Sequence, residues 1–273
     1  MKSATLIEAQ RLMFTILRDV DKICRENGIK YWLESGTLLG AIRHEGFIPW
    51  DDDIDIGMMR EDYEKFKKII KDKLSDDLYY QDIFTDNGIQ YSWCKIRHKY
   101  SKLIEESSSE YHEGIFIDIF PYDYFDSKDG KCASEKRKFI KKYKRVYNSM
   151  LPYEKNLIKN IRRFLCKIYS KTIEKKTLCD IITEARECYK KMNIASGSDY
   201  IGYGFDILNF EEYIPTKIMF PLKEVTFCGE SFFAPNDSDG YLSALYGDSY
   251  MNIPPEEERV YHNVGIYIEK NRK

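Results

Sequence analysis

The stretch Phe47-Ile48-Pro49-Trp50-Asp51-Asp52-Asp53-Ile54-Asp55-Ile56-Gly57 gathers four carboxylates into five positions and then returns to an apolar rhythm. Side chains on an extended strand alternate with period two. Asp53 and Asp55 therefore face one way, while Ile54 and Ile56 turn into a core. Neighbouring carboxylates in a partly desolvated cleft repel, and a divalent cation removes that cost. Hard oxygen donors suit Mg²⁺ or Mn²⁺, ions that commonly hold substrate phosphates as well. Asp51 and Asp52 lie at the mouth of the strand, where solvent screens them. The plainer alternative is a solvated acidic turn entering an edge strand.

A second stretch weighs against that alternative. Gly114–Asp123, "GIFIDIFPYD", sets Asp118 inside an apolar strand, with Phe116 and Phe120 on its own face and Ile117 and Ile119 on the other. Burying an unpaired carboxylate costs several kcal/mol. Asp118 thus requires a metal, an Arg or Lys, or a place at the open end of its strand. Asp53, Asp55 and Asp118 on neighbouring strands would form the carboxylate set of two-metal phosphoryl transfer.

The rest of the chain is consistent with a folded α/β protein. Of its 273 residues, 43% are apolar and 15% aromatic, which excludes a disordered chain. Seven scattered cysteines form no Cys-x-x-Cys pair, which predicts reduced thiols without a disulfide framework or structural zinc. Glu8 interrupts the N-terminus and no run of 18 apolar residues occurs. The expectation is therefore neither a signal peptide nor a membrane span, and a cytoplasmic location.

Periodicity predicts an amphipathic helix over 4–26, stopped by Asn27-Gly28, then a short strand over 29–33. A helical turn over 38–43, a strand over 53–58 and a helix over 61–74 follow. Further strands are expected at 79–84, 90–97, 115–120, 218–220, 224–228 and 231–233, with helices at 178–193 and 240–245. The result is an α+β chain built on a mixed sheet.

Charge is unevenly distributed. Between Lys136 and Lys176 stand 15 Lys or Arg against two Glu, a net +13 in a chain whose total is −2. Phe139, Ile140, Tyr143, Val146, Tyr147, Leu157, Ile161, Phe164, Leu165 and Ile168 interleave with these charges. Such helices form a solvated face, rest on an anionic bilayer, or attract a nucleic-acid backbone. No RNA-binding signature or DNA-reading motif is visible, so specific nucleic-acid recognition is not expected.

"YWLESGTLLGAIRHEGFIPWDDDIDIGM" at 31–58 closely resembles the opening motif of the LicD family of bacterial choline-phosphate transferases. That family is the fukutin-related branch of the nucleotidyltransferase fold superfamily. "WCKIR", "GIFIDIFPYD", "FPLKEVTFCGESFFAPND" and "YLSALYGDSYMNIPP" extend the resemblance over nearly the full chain. It implies a single catalytic domain, 1–273, of nucleotidyltransferase-like fold with a basic helical insertion at 132–195. It implies phosphocholine transfer from CDP-choline to a hydroxyl of a cell-surface glycan or of a teichoic acid or lipopolysaccharide precursor, releasing CMP.

By the same resemblance, Gly36 and Thr37 stand beside the nucleotide phosphates. Asp53, Asp55 and Asp118 bind Mg²⁺ or Mn²⁺, and Asp118 holds a second ion or takes the proton of the attacking hydroxyl. Lys95 and Arg97 alternate on one strand and reach phosphate, or else form a solvated sheet face. Arg43 and His44 reach the pyrophosphate, unless Arg43 pairs with Asp51 or Asp52. Trp50 offers an aromatic face to the choline cation, while Trp32 and Trp93 belong to the core. Arg259 as a phosphate contact and His262 as a site residue compete with simple terminal packing. The implied acceptor is a lipid-linked glycan, with peripheral contact at the inner face of an anionic membrane. Rival readings are transfer of another CDP-linked alcohol phosphate, transfer of a nucleotidyl group, and a catalytically silent glycan- or membrane-associated scaffold.

Overall fold

The structure is a computed structural model that describes residues 1–86, 88–89, 91–104, 111–259 and 265–269. The chain divides into two compact units. One comprises 1–89, 93–122 and 214–273, the other 90–92 and 123–213.

In the first unit, β1 (Lys2–Ser3) leads to α1 (Leu6–Glu26). Thr5 and Glu8 cap α1 reciprocally, satisfying two otherwise unpaired backbone N–H groups. Ala9, Met13, Ile16, Leu17, Val20 and Cys24 bury one helical face. Next come β2 (Trp32–Leu33), α2 (Ser35–His44), β3 (Asp55–Met59), α3 (Arg60–Lys73), β4 (Leu78–Gln81), β5 (Cys94–His98) and β6 (Ser101–Ile104). Strand β7 (Phe116–Phe125) is buried along almost its whole length, the mark of a central strand covered on both faces.

The main sheet has the order β2-β3-β7-β5-β4. The β3–β7 pair is parallel, and β2–β3, β7–β5 and β5–β4 are antiparallel, so the sheet is mixed as expected. Trp32 lies over Gly57, where a Cβ would come within 2.5 Å of the indole. Any larger residue at that position would lift the tryptophan off the sheet.

Within the second unit, α4 (Lys131–Met150), α5 (Leu157–Tyr169), a π-helical turn (Ser170–Glu174) and α6 (Leu178–Met192) contain the basic segment. Strand β8 (Tyr200–Tyr203) pairs with β9 (Tyr213–Pro215). Lys136 is fully buried, donating 2.7 Å to the Tyr203 carbonyl. Burial lowers its ammonium to about 8, against the opposing pull of Asp123 and Asp206. Asp123 itself accepts the Phe205 N–H at 2.7 Å.

The chain then returns to the first unit with α7 (Thr216–Met219), β10 (Lys223–Phe227), β11 (Glu230–Ala234), α8 (Ser238–Tyr246), a 3₁₀ turn (Glu256–Glu258) and β12 (Gly265–Ile268). Two expectations change here. Residues 216–219 form a helical turn where a strand over 218–220 was expected: Pro215 and Pro221 bracket too few residues for a ladder. The terminal sheet β1-β12-β6 is built from three short strands, none of which periodicity predicted.

Replacing Lys136 with Met should destabilise the protein by about 1–3 kcal/mol, because it leaves the buried Tyr203 carbonyl without its donor. The native ammonium gives up its proton near 8, whereas the unfolded one does so near 10.5. The unfolded chain therefore binds more protons across that window, and native stability rises with pH there. Thermal unfolding of both proteins from pH 7 to 10.5 should show the stability gap widening above pH 8.

Candidate active site

The acidic stretch is held by backbone contacts on either side. Gln10 of α1 donates to the carbonyls of Asp51 at 2.9 Å and Ile48 at 3.3 Å. The Asp55 N–H donates 2.8 Å to Thr37 Oγ1, and the Glu34 N–H donates 3.0 Å to the Asp55 carbonyl. Helix α2 begins at Ser35, whose φ of 46° is a left-handed value for a residue that is not glycine. Strain of this kind, about 1–3 kcal/mol, persists where surrounding contacts over-determine the backbone. Gly36 fits beneath the acidic loop, where a Cβ would lie 3.0 Å from Asp51 Oδ2.

Asp55 and Asp118 are register partners on β3 and β7, and Asp118 and Lys95 are partners on β7 and β5. Partners across a ladder share a face. A row of Asp55, Asp118 and Lys95 thus crosses three strands, and Gln81 on β4 continues it. Asp53 precedes the ladder, which begins at Asp55; the Ile54 carbonyl still accepts the Asp118 N–H at 2.8 Å.

Asp118 has found a lysine partner. Lys95 Nζ stands 3.0 Å from each of its carboxylate oxygens, and Trp93 Nε1 donates to Oδ1 at 2.7 Å. The Lys95 ammonium also lies 3.4 Å from the centre of the Phe116 ring. Trp93 therefore holds a site carboxylate in addition to packing on Phe120. Its place two residues before Lys95, on the same alternating face, was the available signal. Arg97 is drawn elsewhere on that face: Nε donates to Gln81 Oε1 and Nη1 donates 2.7 Å to the Gly114 carbonyl.

Repulsion and burial together raise the acidic groups. Burial, then the charges of Asp53 and Asp52, push the Asp51 carboxyl up to about 8. Asp55 is pushed well above the carboxylate range by burial, then by Asp53, Asp118, Glu34 and Asp51. Glu34 is completely buried and accepts a hydrogen bond from the Tyr122 hydroxyl. Tyr246, at the end of α8, completes this surround: burial and then the Asp55 charge raise its phenol, while a hydrogen bond with Ser35 opposes them. Glu34, Tyr122 and Tyr246 escaped the sequence reading because three separate elements bring them together.

The remaining candidates lie around Trp50. Arg43 Nη1 donates to the carbonyls of Tyr250 at 2.8 Å and Asn252 at 3.1 Å, and its Nε donates 3.0 Å to His44 Nε2. The expected alternatives for Arg43 were pyrophosphate or Asp51 and Asp52; its guanidinium clamps the chain after α8 and also feels the Asp51 charge. His44 meets the Trp50 ring edge-on at 6.2 Å, and the Arg259 guanidinium lies 4.3 Å from the centre of that ring. His262 lies outside the described residues.

Among the described residues, no three His, Cys, Asp or Glu side chains converge as a metal cluster. The chemistry of the donor set still suits a small hard cation. Asp51, Asp53 and Asp55 offer carboxylate oxygens, and their mutual repulsion raises Asp51 and Asp55.

Residues 28–158 match the family model described as LicD/FKTN/FKRP, nucleotidyltransferase domain. The chain is 28% identical over 272 residues to the lipopolysaccharide cholinephosphotransferase LicD of Haemophilus influenzae, covering 97% of this chain and 98% of that protein. An uncharacterized protein of Rickettsia typhi is 37% identical over 115 residues, 41% of this chain and 35% of its own. Human ribitol 5-phosphate transferase FKRP is 60% identical over 35 residues, 13% of this chain and 7% of that protein. The acidic sheet row thus belongs to a protein of the nucleotidyltransferase superfamily. Within that superfamily, the chain belongs to the LicD and FKRP–FKTN branch.

Replacing Thr37 with Val keeps the side-chain shape but removes the acceptor for the Asp55 N–H. Urea denaturation should register a loss of about 1 kcal/mol.

Proposed function

We propose that this chain transfers an alcohol phosphate from a CDP-linked donor to a hydroxyl of a cell-surface glycan precursor, with CDP-choline the leading donor. The carrying observation is the concentration of Asp51, Asp53 and Asp55 beside Asp118, in a chain similar over almost its full length to a cholinephosphotransferase. The first unit supplies a nucleotidyltransferase-like fold. The basic helices at 132–195 are an insertion in a single catalytic chain, and the protein works at the cytoplasmic face of a membrane that carries its acceptor.

Asp53 and Asp55 would hold Mg²⁺ or Mn²⁺, with Asp118 as the third carboxylate, and the ion would supply charge neutralisation at the donor pyrophosphate. The protein's own groups do the rest. Lys95 and Trp93 fix Asp118, so the carboxylate row does not splay apart. Gln10 and Thr37 fix the backbone on either side of Asp53. Asp51, beside Asp53 in the same loop, would take the proton of an attacking hydroxyl in its ionised form. In the step itself, the acceptor oxygen bonds to the phosphorus bearing the alcohol. The bridging oxygen departs with CMP, and the hydroxyl proton passes to Asp51. Positioning and electrostatics carry this reaction.

A second reading replaces choline with a neutral polyol such as ribitol, favoured by the 60% identity shared with the ribitol 5-phosphate transferase over 35 residues.

The test is mass-spectrometric turnover with Mg²⁺ or Mn²⁺ and a lipid-linked glycan extract, offering CDP-choline, CDP-ethanolamine, CDP-ribitol, CDP-glycerol and nucleoside triphosphates in turn. CMP release with a phosphocholine mass added to the glycan is expected. CMP from another CDP-alcohol would keep the reaction and replace the donor, and pyrophosphate from a triphosphate would overturn it. Asp55→Asn should fold normally and lose about a hundredfold or more in turnover. Asp53→Asn should in addition lose most of the rise in melting temperature that the metal gives the native protein.

A further inference from the structure

The basic helices divide into two kinds once their burial is known. On α4, the apolar residues Ile140, Tyr143 and Val146 are buried in the second unit. Helix α5 behaves differently: among its residues, Cys166 alone is buried. Leu157, Ile158, Ile161, Phe164, Leu165 and Ile168 are between 46% and 79% exposed. At 3.6 residues per turn these six fall within an arc of about 120°, and Cys166 falls nearly opposite its centre. The helix therefore packs by its Cys166 side and turns its apolar stripe away from its own core.

The flanks of that stripe are cationic. Helix α5 carries Lys159, Arg162, Arg163 and Lys167 and no acidic residue. Arg145 and Arg162 join Ile158, Ile161 and Leu165 around a groove of about 530 Å³. Met150 and Ile173, before and after the helix in sequence, are also exposed, at 55% and 70%. Six large apolar side chains on one exposed face require a covering. The positive charges of Arg162 and Lys167 at their borders disfavour a second copy of the same face, which would bring like charges together. They favour a surface that is apolar below and anionic above.

We propose that α5 is an interfacial docking helix that lays Leu157, Ile158, Ile161, Phe164, Leu165 and Ile168 into the headgroup boundary of an anionic phospholipid bilayer. Arg162 and Lys167, which flank the stripe, then meet the lipid phosphates, while Lys159 and Arg163 stay paired with Glu154. An amphipathic helix with an apolar stripe flanked by basic residues lies in the plane of such a boundary, without spanning it. Among the described residues, no helix is long and apolar enough to cross a membrane, which agrees with docking in the plane. The inference deepens the reading of a membrane-borne acceptor, yet it depends on neither donor nor metal.

Sedimentation of the full chain with vesicles tests it, with no nucleotide or glycan present. Binding is expected to vesicles of phosphatidylcholine containing phosphatidylglycerol, to weaken as salt rises, and to be slight with phosphatidylcholine alone. Ile161→Glu with Leu165→Glu should weaken it about tenfold or more, with the melting temperature unchanged because both side chains are exposed. Arg162→Glu should flatten the salt dependence. Absent binding, equal binding to neutral vesicles, or binding untouched by the double substitution would each overturn the proposal. So would a dimer in light scattering that the double substitution dissociates while vesicle binding persists. Because catalysis is not measured, failure here leaves the transferase reading standing, and failure of the donor assay leaves this one standing.

Discussion

The ion pair between Lys95 and Asp118 is the contact on which the acidic sheet depends. Both side chains are nearly inaccessible to water, so each surrenders several kcal/mol of hydration on folding. Mutual attraction repays that loss only where the remaining polar atoms are also satisfied. The Trp93 indole supplies that condition by donating to the same carboxylate. Once Asp118 is neutralised from the β5 side, its neighbour across β7 is free to be another carboxylate. Without Lys95, Asp55 and Asp118 would stand opposite each other as bare like charges on adjacent strands. The sheet order β3-β7-β5 is thus an electrostatic arrangement as well as a topological one.

The same logic explains why the loop before β3 is so tightly held. Carboxylates repel most effectively by moving apart, and a loop offers them the freedom to do so. Here that freedom is removed through the backbone, by Gln10 at Asp51 and by Thr37 and Glu34 at Asp55. Burial, and then repulsion that is not relieved by movement, appear instead as raised proton affinity on Asp51 and Asp55. A rigid frame around unrelieved charge is what a cation or a passing proton can exploit.

Much of this was legible in the chain, and for identifiable reasons. The alternation through Asp118 required a metal, a basic partner or an open strand end; the structure supplies Lys95, which the sequence directed to phosphate or a solvated sheet face. The mixed sheet followed from strand periodicity, which survives in sequence. Arg43 was not legible: its targets are carbonyls at Tyr250 and Asn252, and a backbone oxygen leaves no trace in residue identity. Glu34, Tyr122 and Tyr246 meet through long-range packing that no local pattern encodes. The basic helices show a subtler limit. Ile140 and Ile161 look alike in an amphipathic pattern, yet one is 6% exposed and the other 53%. A helical period reveals that a stripe exists, while what covers it is decided by the rest of the fold.

Trp50 bears on the choice between donors. Its ring already receives a cation, the Arg259 guanidinium, at 4.3 Å. Arg259 is also tethered, donating to the Pro254 carbonyl at 3.3 Å, which keeps it close to the ring. Attraction of a cation to an indole face is worth about 0.5–2 kcal/mol, with the higher value reached when water is excluded. A quaternary ammonium seeking this same face must displace the arginine or take the opposite one. A neutral polyol makes no such demand, because it gains little from the ring and leaves the guanidinium in place. The aromatic site is therefore compatible with choline at the cost of one exchange of cations, and with a polyol at no such cost. If the donor alcohol of the proposed reaction meets this ring, discrimination falls on Arg259 as much as on Trp50, since the arginine already occupies one aromatic face.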